Sequence, residues 1–305
     1  MNERESRGRG CVVVGLDSHG EPAGGLLAAA DEAERRAADL AVVTVLRPNR
    51  DPGLNIQGLR RDELLAEALT LQNLHAVTAS LHSSHPGLSV TTYCLIEDDV
   101  QPTREPLLGA ELLVLGTQDR YGRQALVLGS VSRLLLTSSN CPVLVVPDSP
   151  AARLGRPDEP PLIVVGVSEH PADAAVVRAA YAESIGRDCE VLLVHAYSAR
   201  AGETPELARE RAHSVLAEFV GQAPAETRVS VAVVDDEAVP SLLRLAKDAT
   251  VLVLGGRTGA LSGLVRGSVS RALMEAVPCP VLAVPRNVTS DCEDQPTATP
   301  FLSEF

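Results

Sequence analysis

The stretch GSVSR at residues 129–133 recurs as GSVSR at 267–271, and CPVLVVP at 141–147 recurs as CPVLAVP at 279–285. Both pairs are 138 positions apart and follow one another in the same order. Self-similarity at a fixed distance is the signature of an internal repeat. These stretches therefore predict two successive copies of one domain.

The beginnings of the two copies also match, although at a larger distance. CVVVGLD at 11–17 corresponds to LIVVGVS at 162–168, which lies 151 positions later. The first copy therefore has extra residues in its middle. A stretch rich in proline and charge separates the copies and reads as a linker. The predicted organisation is a flexible tail at 1–10, a first domain at 11–147, the linker at 148–160, a second domain at 161–286 and a flexible tail at 287–305.

Short, nearly continuous apolar runs alternate with stretches of helical character in both copies. The runs lie at 11–16, 41–46, 88–96, 111–116 and 142–146, and then at 162–167, 190–195, 228–234, 250–255 and 280–284. The helical stretches include 28–40, 60–81 and 205–223. Runs without polar alternation are typical of strands buried on both faces of a parallel sheet. The fold class is therefore α/β, with two tandem doubly wound domains of five parallel strands each.

Composition argues against several classes of partner. The chain carries a net charge of −13, and aromatic residues make up 2% of it. The negative charge repels a nucleic-acid backbone and an anionic membrane, and few rings are available to stack on bases. We therefore expect neither nucleic acid nor membrane as a partner.

Cysteine usage and the distribution of apolar residues predict a cytoplasmic protein. The six cysteines are scattered, and none forms a C-x-x-C pair, which is typical of reduced thiols. The opening residues MNERESRGRG are charged and lack the apolar region of a signal peptide. No run of about 18 apolar residues suggests a membrane span.

A glycine loop in the first copy is the segment most suggestive of a ligand. VLGTQDRYGRQALVLGSVSRLLL at 114–136 reads as a strand ending at Gly116, a loop, and a helix that starts near Gly129 and Ser130. Free backbone N–H groups and the positive end of the helix dipole suit a phosphate there. The alternative is structural: Gly129 permits a tight turn and Ser130 caps the helix.

This pattern resembles the universal stress protein family. The resemblance rests on a strand, a glycine step, a G-S pair opening a helix and a final C-P-V-L-V-V strand, and it covers both copies. It implies the adenine nucleotide alpha hydrolase-like fold and ATP as a ligand, with or without Mg²⁺. In members that bind ATP, the glycine loop holds the phosphates, the acid after the first strand lies at the ribose or metal, and the second strand meets adenine through its backbone. On this chain the matching positions are Asp17, Val45, Gly116, Gly129, Ser130, Val131 and Ser132.

The first copy departs from the family pattern at several positions. Asp119 stands where a second glycine is usual, and Thr44 stands where a histidine is frequent. A carboxylate at 119 would repel a phosphate, hold a Mg²⁺, or simply face solvent. Tyr121 and Arg123 replace small residues in the loop.

The second copy departs further. Ser168 replaces the acid after the first strand, and the glycine loop is one residue shorter. Either Gly255 or Gly256 can be its first glycine, and Gly267 and Ser268 still match. We therefore predict that copy one binds ATP and that copy two has a weakened or lost nucleotide site and mainly builds the interface.

Other polar clusters invite a functional and a structural interpretation. His82 and His85 could face a metal, but a polar turn is the commoner role of such a pair. The acids at 98–99 and 235–237 could bind a metal or do acid–base work, but they are better placed to cap the helices that follow. His195, at the end of a strand in copy two, faces the candidate rim, where a hydrogen-bonded structural role is favoured.

The function predicted from the sequence is that of an ATP-binding regulatory protein of the stress response, without catalysis. No Walker A motif and no G-x-S-x-G elbow occurs in the sequence. The alternatives are a tandem scaffold that acts through protein contacts without nucleotide and, less favoured, a weak ATPase. The family resemblance also implies self-association through the last strand of each domain, within one chain or between two chains.

Overall fold

The computed structural model describes eleven stretches of the chain. They are residues 10–16, 24–46, 56–96, 109–117, 135, 141–147, 161–200, 202–235, 237–256, 272–273 and 276–285.

Ten strands are present in this part of the chain, and each lies where the apolar runs predict one. In the first copy they are β1 (Cys11–Leu16), β2 (Asp39–Leu46), β3 (Val90–Ile96), β4 (Ala110–Gly116) and β5 (Val143–Val146). In the second copy they are β6 (Leu162–Gly166), β7 (Glu190–Ala196), β8 (Val229–Val234), β9 (Val251–Gly256) and β10 (Val281–Pro285). The central strands are buried almost continuously, as expected for strands of a sheet that is covered on both faces.

Five helices of the described residues connect these strands. They are α1 (Gly24–Arg36), α2 (Ile56–Ser84), α3 (Asp173–Arg187), α4 (Pro205–Val220) and α5 (Ala238–Leu245). Thr204 caps α4 by accepting a hydrogen bond from the Leu207 N–H. The helix α1 begins and ends earlier than the predicted stretch 28–40. It stops at Arg36 because Ala37 is left-handed and Asp39 already begins β2.

The strands form one sheet in the order β3-β2-β1-β4-β5-β10-β9-β6-β7-β8. Within each half all the paired strands are parallel, which confirms the doubly wound α/β architecture. The chain moves outward from β1 to β3 and returns to the other side of β1 with β4. The topological switch point of copy one therefore lies between β1 and β4, and that of copy two lies between β6 and β9.

The two halves meet through their last strands within this one chain. β5 and β10 are antiparallel, and Leu144 lies opposite Leu282, its own counterpart in the repeat. A pseudo-twofold axis therefore passes between these two leucines. Because the strands of the two halves run in opposite directions, the two switch points open at opposite edges of the sheet.

Two apolar layers cover the sheet. One contains α1 to α4 and includes Ala33, Val177 and both central leucines. The other contains α5, together with Leu135 and Leu273. The helices α1 and α3 therefore lie on the same face of the sheet, on either side of the pseudo-twofold axis.

Both of these helices end in the same left-handed turn. Ala37 has φ 52° and Asp188 has φ 51°. The next amide donates back into the helix in each case, from Ala38 N to Ala33 O and from Cys189 N to Ser184 O. This is the Schellman arrangement, in which glycine is the residue best suited to the left-handed position.

Replacing Ala37 by glycine should stabilise the protein. The left-handed conformation costs an alanine about 1 kcal/mol relative to glycine, so Ala37→Gly should raise the free energy of unfolding by roughly that amount in chemical denaturation. Asp188→Gly is the matched variant, and it should gain less because aspartate tolerates this conformation better. A loss of stability in Ala37→Gly would contradict the assignment.

Charged side chains join α1 to α3 across the pseudo-twofold axis. Glu32 and Glu183 are buried, with 4% and 5% of their surface exposed. Each of these carboxylates contacts Arg35, Arg36 and Arg187. We call these five residues the inter-helix clasp. Burial by itself would raise the pKa of Glu32, but Arg187, Arg35 and Arg36 together outweigh it and hold that pKa below its ordinary value of 4.5.

Acid should weaken the clasp. Because the folded pKa of Glu32 is lowered, its contribution to stability is complete above pH 4.5 and is lost as the pH falls through the folded pKa. Glu32→Gln should cost about 3 kcal/mol at neutral pH, since it leaves buried guanidinium charge uncompensated, and it should flatten the loss of stability below pH 4.5. Urea unfolding from pH 7 to pH 3 measures both effects. The exposed Glu34 on the same helix provides the control, and an equal effect of Glu34→Gln would refute the prediction.

Candidate functional site

The candidate site of copy one lies at the switch point between β1 and β4. Val14 is paired with Val114, so Leu16 and Gly116, each two residues further on, end side by side at the carboxyl edge of the sheet. Gly116 belongs to the predicted site, and Asp17 follows Leu16 directly in the sequence. Ligands of doubly wound sheets bind in the crevice at this edge.

The first turn of α1 packs closely on the end of β4. A Cβ added at Gly25 would lie 2.8 Å from both the Cα and the N of Gly116. Both Gly24 and Gly25 are buried, and no acidic residue lies in this first turn. Backbone therefore meets backbone at the rim, and the helix start approaches the crevice as closely as glycine allows. Gly25 is not among the site residues predicted from the sequence, although the two adjacent glycines at positions 24 and 25 were an available signal.

A methyl group at Gly25 should disturb this contact. Gly25→Ala places its Cβ inside the distance that backbone atoms tolerate, so it should lower the free energy of unfolding by about 1–3 kcal/mol even though alanine favours helix more than glycine does. Thermal or urea unfolding measures the loss. Gly87→Ala is the control, because nothing lies within 4 Å of its added Cβ. Equal stability of the two variants would contradict the prediction, because the backbone at Gly116 would then move away from the added methyl group at little cost.

Val45 lies one strand further out. Val45 is 4% exposed, and its side chain packs in the layer that contains Val13 and Leu115. The pairing of β2 with β1 ends at Thr44, and Val45 is the first residue of β2 beyond it. The role of Val45 as a backbone contact stays a prediction. The neighbouring Thr44 is 1% exposed, and its Oγ1 is buried without a hydrogen-bond partner in the described structure.

The rest of the predicted site of copy one lies outside the described residues. This applies to Asp17, Gly129, Ser130, Val131 and Ser132, and also to Asp119, Tyr121 and Arg123. The structure brings Gly116 and Val45 to the same edge, with the end of β1 between the strands that carry them. The phosphate contacts expected from the glycine loop stay predictions.

At the switch point of copy two, a buried carboxylate holds the loop that follows β6. Ser168 donates two hydrogen bonds to Asp173 Oδ2, from its backbone N at 2.7 Å and from its Oγ at 2.6 Å. Asp173 is the first residue of α3 and is 0% exposed. The predicted residue Gly255 lies near the end of β9 at this edge. It directly follows Leu254, which is paired with Gly166 of β6. Gly267 and Ser268 lie outside the described residues.

An ion-pair cluster lies at the same rim. The Glu169 carboxylate contacts the guanidinium groups of Arg200 and Arg211. The Nε2 atom of His195 lies 3.9 Å from Glu169 Oε1. Copy two therefore already holds an internal anion beside its switch point, between two cationic side chains. The sequence analysis did not find this cluster, because its members come from separate elements and follow no motif.

His195 is a buried strand-end histidine with a backbone partner. Its Nδ1 lies 2.8 Å from the carbonyl oxygen of Val167, and the residue is 4% exposed. This geometry fits the favoured structural role. Its Nε2 has no hydrogen-bond partner in the described part, and the matching position of copy one, Thr44, likewise has an unpaired polar atom.

His82 and His85 have different surroundings. His82 is exposed in the last turn of α2. His85 is buried, with Nε2 3.0 Å from Asp31 Oδ1 and Nδ1 2.8 Å from Ser84 Oγ. It therefore fastens the end of α2 to α1. Within the described residues, no group of three or more His, Cys, Asp or Glu side chains is placed to hold a metal ion.

The second acidic cluster, residues 235–237, is predicted to cap the helix that follows it. For Glu237 this prediction is wrong. Glu237 occupies the N-cap position of α5, but its side chain makes no capping hydrogen bond. The helix also begins at Ala238 and not at Pro240. Pro240 is tolerated in the first turn, because the N–H groups there have no intrahelical partner. Asp98, Asp99 and Asp236 lie outside the described residues.

The chain belongs to the universal stress protein family. The family's model matches twice, over residues 10–147 and over residues 162–285. Universal stress protein Rv2005c of Mycobacterium tuberculosis is 31% identical over 204 residues, which cover 64% of this chain and 68% of that protein. Universal stress protein Rv1996 of the same organism is 27% identical over 301 residues, covering 89% of this chain and 93% of the relative.

Solved structures agree on the fold. A universal stress protein from Archaeoglobus fulgidus covers 91% of this chain and 98% of its own, with a TM-score of 0.61 and 14% identity. Another from that organism was solved in complex with dAMP, and it covers 41% of this chain with a TM-score of 0.32. Among the helices described, none is long and apolar enough to cross a membrane.

Proposed function

We propose that this protein binds adenine nucleotide at the switch point of copy one and acts in the cytoplasm as a regulatory protein of the stress response, without catalysis. The observation that carries the proposal is the close contact of Gly25 with Gly116. This contact brings a helix start to the carboxyl edge of the sheet with no side chain between them. Backbone amides at such a place suit a phosphate.

The ligand we propose is ATP, with or without Mg²⁺. Following the family resemblance, Gly129, Ser130, Val131 and Ser132 would hold the phosphates, Asp17 would lie at the ribose or the metal, and Val45 would meet the adenine through its backbone. The end of the β1–β2 pairing at Thr44 supports this last role, since the Val45 backbone is then not paired with β1. Bound Mg²⁺ would neutralise phosphate charge beside Asp17.

Copy two is proposed to have lost this role. Glu169 already occupies its rim with a carboxylate, and Arg200 and Arg211 are engaged by it. An incoming phosphate would meet that carboxylate and would have to compete for the same cations. The sequence departures at Ser168 and in the shorter glycine loop point the same way.

Nucleotide binding would bias the protein between states with different partners. A ligand shifts an equilibrium only by its difference in affinity for the two states, so ordering of the glycine loop is the proposed source of that difference. The scaffold alternative, in which neither copy binds nucleotide, is favoured by the internal ion pairs of copy two. The scaffold alternative would apply to the whole protein if ion pairs also occupied the rim of copy one.

A pair of matched glycine variants tests the nucleotide site. Gly129→Glu introduces bulk and negative charge at the proposed phosphate position, and it should weaken ATP binding about 100-fold or more. Gly267→Glu makes the same change in copy two and should leave the affinity unaltered. Isothermal titration of the full chain measures both, and circular dichroism checks that each variant is folded.

Three further outcomes distinguish the alternatives. Loss of binding only in Gly267→Glu would move the site to copy two. No binding by the unaltered chain, with no nucleotide released by acid extraction of the purified protein, would favour the scaffold. Steady release of ADP from bound ATP would favour an enzyme.

A further inference from the structure

The inter-helix clasp obeys the repeat symmetry at four of its five residues. Glu32 and Glu183 are 151 positions apart, and so are Arg36 and Arg187. Arg36 contacts its own Glu32 through Nε at 3.3 Å and reaches across to Glu183 through Nη2. Arg187 contacts its own Glu183 through Nε at 3.0 Å and reaches across to Glu32 through Nη2. The two halves thus contribute equal and reciprocal parts.

Arg35 breaks this symmetry. Its Nη2 lies 2.7 Å from Glu183 Oε2 and also contacts Glu32, so the guanidinium bridges the two carboxylates at the centre of the clasp. The repeat counterpart of Arg35 is Gly186. A Cβ added at Gly186 would lie 2.4 Å from Arg35 Nη1. The tip of the Arg35 guanidinium therefore occupies space that a side chain at position 186 would enter.

We propose that Arg35 and Gly186 are a specificity pair that makes copy one accept copy two, and not a second copy one, on this face. The partner that the face of α1 fits is a half with two features. It carries a glutamate and an arginine at the positions of Glu183 and Arg187, and a glycine at the position of Gly186. The second half of this chain has both features.

The strand contact by itself distinguishes the halves at one apolar position, because Val145 corresponds to the smaller Ala283. β5 reads VLVV and β10 reads VLAVP, and the central pair is Leu144 with its own counterpart Leu282. Copy one paired with copy one would therefore place equivalent apolar residues at the axis. Discrimination has to come from groups that differ between the halves, and the clasp holds such a difference next to the axis.

Both like-with-like pairings would be defective at the clasp. Two copies of α1 would bring two arginines into the space of one and would set four guanidinium groups against two carboxylates. Two copies of α3 would bring two glycines, which leaves the central space without its guanidinium. A clash or an unpaired charge in the wrong complex is the usual physical source of pairing specificity.

The full chain can imitate each pairing by single substitutions. Gly186→Arg gives both halves the residue of copy one, and Arg35→Gly gives both halves the residue of copy two. Arg35→Gly with Gly186→Arg exchanges the two and restores one of each, while the number of glycines and of charges stays that of the unaltered protein. The exchange is therefore controlled for helix propensity and for net charge.

We expect each single variant to lower the Tm by about 5 °C or more and the exchange variant to return within about 2 °C of the unaltered protein, on the usual scale of a few degrees per kcal/mol. Differential scanning calorimetry of the three variants measures this. An exchange variant whose Tm loss equals the sum of the two single losses would overturn the proposal, because the two positions would then be independent.

A milder pair keeps the test decisive if Gly186→Arg does not fold. Gly186→Ala should lower the Tm in the unaltered background, because its Cβ displaces Arg35, although alanine is the better helix former. In an Arg35→Ala background the same change should leave the Tm equal or raise it. The same sign of effect in both backgrounds would contradict the proposed contact.

Discussion

The antiparallel contact between β5 and β10 is the interaction that fixes how the two halves are arranged. Without it, each half would end in an edge strand with unpaired backbone groups and fully buried side chains, which is a template for uncontrolled association. Pairing Leu144 with Leu282 joins the halves into one sheet and creates a pseudo-twofold axis. The shared apolar layer, the inter-helix clasp and the separation of the two rims all follow from this axis.

Because the halves run in opposite directions, their switch points face away from each other and can diverge independently. At the rim of copy one, glycine backbone approaches glycine backbone. At the rim of copy two, a buried aspartate holds the loop after β6, and Glu169 is held between two arginines. The same strand framework thus supports an edge where glycine backbones pack together in one half and an edge that carries an ion-pair cluster in the other.

The contact between the halves combines two kinds of interaction with different effects. The apolar strands supply strong burial, and they distinguish the halves by one apolar side chain, Val145 against Ala283. The clasp adds buried charge, which contributes less to net stability because desolvation opposes the attraction. Its geometry is nevertheless demanding, since three guanidinium groups must fit around two carboxylates. A single glycine facing a single arginine is enough to make that geometry unequal.

The sequence by itself determined the duplication, the fold class and the position of every described strand, because buried strands and internal repeats leave local patterns of apolar residues and glycine. It also marked Gly116 and Val45 as edge residues. The tertiary structure alone decided that α1 ends at Arg36, that His85 binds Asp31, that Glu169 fills the second rim and that Arg35 uses the space left by Gly186. These features join residues far apart in the sequence, and no local pattern specifies which distant charges or spaces will meet when the chain folds.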